Sequence, residues 1–140
     1  MRIEFFAPLE KIPTVTAQEK GIDFKRKRVY TKPEVEAVKN RYIAILMQNR
    51  PPRKLEGAIG LKVTFRFPFD TKHKKEGAWK ITKPDTDNML KLLKDCATAC
   101  GYWNDDSQVA VELIAKKYSK NSGIFFYAEE LEAKEEPPVI

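Results

Sequence analysis

From residue 59 to residue 69 every odd position is apolar (Ile59, Leu61, Val63, Phe65, Phe67, Phe69), while Lys62, Thr64 and Arg66 stand on even ones. This two-residue period predicts a strand with one buried face. Upstream the period changes. Val35, Val38, Tyr42, Ile45 and Leu46 recur at helical spacing, with Glu36, Lys39, Asn40 and Gln48 opposite them. Thr31 and Glu34 have capping-box spacing, Pro33 suits a first turn that needs no amide hydrogen, and Pro51-Pro52 stops the helix. A second helix is predicted over residues 87–100, with Met89, Leu93, Cys96 and Cys100 opposite an arc of Asp87, Lys91, Lys94, Asp95 and Thr98, and with Gly101 as its terminator. Residues 2–6 read as a first strand, followed by a loop through Pro8 and Pro13 and the basic run at 25–28. Val109, Val111, Leu113 and Ala115 alternate in another over 108–118, which the turn Asn121-Ser122-Gly123 folds into 124–128 as a hairpin. The fold class is α+β: a single small domain with a mixed or mainly antiparallel sheet and two main helices. The domain spans 1–130, and the acidic, Pro-ending stretch 131–140 is a frayed tail.

A chain of 140 residues buries a core of its own without disulfides or metal staples. Its net charge is +6, yet the last twelve residues hold five Glu and one Lys, so the body is more basic than the total. Such a body attracts polyanions. The opening Met1–Pro8 is interrupted by Glu4 and too short for a signal peptide, and nowhere is an apolar run long enough to span a bilayer, so a cytoplasmic protein with no membrane partner is expected. Cys96 and Cys100 lie one turn apart on the second helix and read as buried thiols. The single histidine, His73, lies far off, without zinc-type spacing.

The chemistry concentrates in one stretch. Asp85, Asp87, Asp95 and Asp106 punctuate Lys83-Pro-Asp-Thr-Asp-Asn88 and Gly101-Tyr-Trp-Asn-Asp-Asp-Ser-Gln-Val109. Carboxylates gathered together repel unless a hard divalent cation such as Mg²⁺ compensates them, so convergence of these acids beside a returning strand predicts a metal site. A metal there polarises a phosphodiester, and Lys91, one turn after Asp87, neutralises charge developing on phosphorus. Each residue also has a purely structural role open to it: Asp85 or Asp87 as helix cap, Asp87–Lys91 and Lys91–Asp95 as surface pairs, Asn104 to Asp106 as turn chemistry. A calcium loop is excluded, because the sixth position from Asp85 is Leu90 and the twelfth is Cys96. Two basic segments suit a DNA backbone: Lys25, Arg26, Lys27 and Arg28, and the loop with Lys72, Lys74, Lys75, Lys80 and Lys83 that carries Trp79.

The ordered set Lys83-Pro-Asp-x-Asp-Asn88, Lys91, Asp95 and Gly101-Tyr-Trp-x-Asp-Asp-x-Gln-Val109 resembles the RusA family of Holliday junction resolvases. The resemblance is strong over residues 83–109 and a matter of layout elsewhere. It implies a RusA-like fold and a homodimer that binds branched DNA, a four-way junction, and makes paired symmetric nicks with Mg²⁺, for which Mn²⁺ is a substitute, in DNA recombination and repair. By position it makes Asp85, Asp87 and Asp106 the essential metal-binding acids and Lys91 the catalytic lysine. Asp95 becomes a metal ligand or an orienting acid, Asp105 a turn cap, and Asn88 a support for a neighbouring carboxylate. Two other readings share these residues: a silent branched-DNA-binding protein, and a nuclease that also cuts flaps or forks.

Overall fold

A computed structural model describes residues 1–14, 20–23, 28–31, 33–134 and 136, with backbone alone for 20–23 and 28–31. Among these, strands β1 (Arg2–Pro8), β2 (Lys20–Asp23) and β3 (Arg28–Thr31) precede helix α1 (Pro33–Gln48) and strand β4 (Ile59–Phe67). Helix α2 (Thr86–Ala99), a 3₁₀ turn (Asp106–Gln108), β5 (Val109–Tyr118) and β6 (Gly123–Glu130) complete the order. The main sheet runs β1-β6-β4-β5, with β4 parallel to β5 and the other pairs antiparallel. The α+β class with a mixed sheet and two helices is therefore correct. The odd residues of β4 from Ile59 to Phe67 are all buried, as their alternation requires. Val35, Val38, Tyr42 and Leu46 of α1 and Met89, Leu90, Leu92, Leu93, Cys96 and Ala97 of α2 join them in one core. Cys96 and Cys100 are buried thiols.

The expected hairpin of β5 with β6 does not form, because β4 lies between them. The strand with the most continuous apolar face takes a central place, where both of its edges are paired. The link Ser119–Ser122 must then step across the end of β4, about 10 Å for two strand spacings. Four residues reach that far and a two-residue turn does not. The Ser119 amide donates to the Phe67 carbonyl at 2.9 Å on the way. Gly123 begins β6 at φ 154°, where an added Cβ would collide with the Ala7 carbonyl oxygen.

Two further differences concern boundaries. Strands β2 and β3 pair where a loop was expected, since Ile22 and Val29-Tyr30 favour extended backbone despite the surrounding charge. Asp106 opens a 3₁₀ turn, and the strand expected from 108 starts at Val109. The Thr31 cap and the frayed tail beyond residue 136 fall outside the described side chains and residues.

Candidate active site

Lys116 fixes the entrance to α2. Its ammonium donates to the carbonyls of Thr82 and Pro84, both at 2.7 Å, so β5 grips the segment leading to the first acid. Burial lowers the Lys116 pKa first, the Lys80 charge lowers it further, and Asp85 opposes both. Asp85 occupies the N-cap position of α2 in extended conformation, but its side chain makes no capping hydrogen bond. Its structural alternative is thus not used. Asp87 is exposed in the first turn, where the helix dipole favours a negative charge. The Lys91 ammonium stands 3.8 Å from an Asp95 oxygen, with both side chains solvent-accessible. Lys94, on the same helix, pairs instead with Glu112 of β5. Asn88 is half-buried, and among the described residues its amide makes no hydrogen bond to an acid.

The second motif forms a braced turn. Asp105 Oδ1 accepts from the Ser107 amide at 2.9 Å, and Gln108 Oε1 accepts from the amides of Asn104 and Asp105 at 2.9 and 3.0 Å, a reciprocal capping box. The Ser107 amide and hydroxyl hold the Asp105 carboxyl below its ordinary value. Gln108 Nε2 meanwhile donates to the carbonyls of Gly57 and Leu55, at 3.1 and 3.3 Å. Beneath the turn, Tyr102 and Trp103 are fully buried. The Tyr102 hydroxyl donates to Leu46 O and the Trp103 indole to Thr98 Oγ1, each at 2.7 Å. Asp106 projects from this anchored turn and is half-exposed.

These two halves stand at opposite ends of α2. Lys116 meets the helix entrance, Glu112 meets Lys94 midway, and Trp103 meets Thr98 near its end, so β5 and α2 run antiparallel. At 1.5 Å per residue the 14 residues of α2 separate Asp85 from the Asp106 turn by about 20 Å. The returning strand does lie beside the helix, but its direction sets Asp106 away from Asp85 and Asp87. Among the described residues no three His, Cys, Asp or Glu side chains are grouped closely enough to hold a metal ion. The expected convergence therefore does not occur within one chain.

The basic loop is shaped by its own contacts. Lys72, Lys74, Lys75 and Lys83 are exposed, whereas Lys80 lies 4.8 Å above the Phe67 ring and donates to Thr82 Oγ1 at 2.8 Å. His73 pairs with Asp70 and stacks on Tyr118 at 4.2 Å, which anchors the loop and leaves Trp79 exposed. Lys25, Arg26 and Lys27 lie outside the described residues, and of Arg28 only the backbone in β3 is described. Sequence reasoning gave no role to Lys116 or Gln108. The Asp105-x-x-Gln108 spacing is a capping-box signal for the second, but nothing local marks the first.

The described residues thus form a basic α+β domain that displays carboxylates and lysines around one helix. The family model described as Endodeoxyribonuclease RusA matches residues 11–126. A protein of Lactococcus phage r1t, named crossover junction endodeoxyribonuclease rusA, is 40% identical over 122 residues, covering 84% of this chain and 88% of its own. Uncharacterized protein YqaN of Bacillus subtilis (strain 168) is 33% identical over 103 residues, 66% of this chain and 72% of its own. The chain belongs to the RusA family of endodeoxyribonucleases. No helix among its described residues is long and apolar enough to cross a membrane.

Proposed function

We propose that this protein resolves four-way DNA junctions by paired, symmetric, Mg²⁺-dependent nicks, acting as a homodimer. The observation that carries the reading is the ordered set of acids and Lys91 within a chain of this family. The separation of the acids supports the dimer. Asp85 and Asp87 at one end of α2 need Asp106 from a second copy, and a twofold axis then yields two equal sites for a twofold-symmetric substrate.

The donor set fits Mg²⁺ by its chemistry, since it offers hard carboxylate oxygens and Asp85 is not engaged as a cap. Asp85, Asp87 and the partner copy's equivalent of Asp106 would hold the ion, with Asp95 orienting Lys91 across their 3.8 Å contact. Bound there, Mg²⁺ supplies a polarised phosphoryl oxygen and an activated water. Lys91 stabilises charge on the phosphorane, and Lys116 keeps Asp85 in place by holding the Thr82 and Pro84 carbonyls that lead into it. Exposed Lys72, Lys74, Lys75 and Lys83 follow the backbone of the DNA arms. The test is nicking of a labelled four-way junction in Mg²⁺, with loss of nicking on Asp87→Asn.

A further inference from the structure

Trp79 and Ile81 are the two most exposed large apolar side chains among the described residues, at 66% and 91%, and they flank Lys80 just before the acid motif. Single exposed apolar residues are ordinary. This pair differs in how it is held. The Gly77 amide donates to Tyr118 O and the Tyr118 amide to Ala78 O, both at 2.8 Å, and the Lys80 amide donates to Lys116 O at 3.0 Å. Trp79 itself bridges antiparallel to Lys117. The segment is thus clipped onto the outer edge of β5, and its indole is presented on a fixed backbone at the Asp85 end of α2. The Lys117 ammonium lies 4.7 Å from the centre of that ring.

We infer that Trp79 is a stacking platform for a base unpaired at the branch point of the DNA, beside the scissile strand. The inference rests on the proposed junction-resolving function and specifies how that site selects branched over linear DNA. An aromatic face accepts any base, so the contact reads exposure of the base and not its identity. A ring carried on a backbone already fixed loses less freedom on binding than one on a free loop. Lys117 at one face of the ring, and exposed Lys83 four residues further along the chain, suit the phosphates beside that base, in a chain of net charge +6. Intact duplex keeps its bases stacked and offers the ring no partner. Ile81, next to the ring's strand segment, wedges against the neighbouring base pair.

The chain has two tryptophans, and Trp103 is fully buried, so emission from exposed Trp79 reports the contact. The experiment titrates the nicking-deficient Asp87→Asn protein with a four-way junction and with linear duplex, following tryptophan emission and affinity. Quenching by the junction and not by duplex, absent in Trp79→Phe, supports the inference, as does about tenfold weaker junction binding in Trp79→Ala that Trp79→Phe largely restores. Junction binding without quenching and unaffected by Trp79→Ala would overturn it while leaving the resolving function intact. Failure of the protein to bind any junction would instead overturn the function and this inference together. An emission change that depends on protein concentration without DNA would place the ring in a contact between copies, and that too would overturn it.

Discussion

Mixing two inactive variants should restore cutting. Asp87 and Asp106 lie at opposite ends of a 14-residue helix, about 20 Å apart at 1.5 Å per residue. Ligands of one Mg²⁺ bond it at about 2.1 Å, so carboxylates sharing an ion cannot be separated by more than roughly 5 Å. Under the dimer account each site therefore takes Asp85 and Asp87 from one chain and Asp106 from the other. A heterodimer of Asp87→Asn with Asp106→Asn then has one site carrying both defects and one carrying neither. Random exchange makes half of the dimers mixed, so about a quarter of the wild-type number of sites is intact. The assay co-refolds differently tagged variants, isolates doubly tagged dimers and measures nicking of a labelled junction in Mg²⁺. Single nicks without paired resolution are expected. Inert mixed dimers would refute the reasoning, because they would mean that each site draws its acids from one chain.

Three other outcomes follow from the contacts. Gln108→Ala removes the four hydrogen bonds that tie the Asp106 turn to residues 55–57 and to its own amides; it should slow nicking about 100-fold while costing about 1–2 kcal/mol in urea unfolding, and unchanged nicking would show that the brace does not position Asp106. Gly123→Ala drives a Cβ against Ala7 O in a backbone region that L side chains rarely adopt, which should cost on the order of 3 kcal/mol and lower Tm by roughly 10 °C in a thermal melt; a Tm within a degree or two of wild type would contradict the fit around β6. Arg53, the amino terminus and the Glu56 amide hold the Glu130 carboxyl far below its ordinary value of 4.5. A depressed carboxylate stabilises fully above that ordinary value and loses the contribution as pH falls toward the folded-state pKa. The Tm difference between wild type and Glu130→Gln should therefore be greatest near pH 7 and shrink below about pH 4, and a difference independent of pH would count against the cluster.

What the sequence disclosed depended on the range of each interaction. The alternation of β4 and the apolar faces of α1 and α2 are local periodicities, and all three elements appear where those periods run. The order of the acids was legible as a motif, and their placement was not. The distance from Asp85 to Asp106 follows from the antiparallel packing of α2 on β5, set by contacts such as Lys116 with Pro84 and Trp103 with Thr98. Asn121-Ser122-Gly123 carries a turn signal that does not reveal which strand will intervene, so β4 between β5 and β6 went unseen. Lys116 sits in an ordinary alternating strand and acts on backbone carbonyls 32 and 34 residues away, for which no spacing rule exists.

The most direct test of the central claim is a nicking assay of a labelled four-way junction in Mg²⁺, with linear duplex as the control substrate and Asp87→Asn as the control protein. The account predicts paired, symmetric nicks on the junction alone, abolished by the substitution and by chelation of the metal. Junction binding with no nicks, or nicking that survives Asp87→Asn, would contradict it.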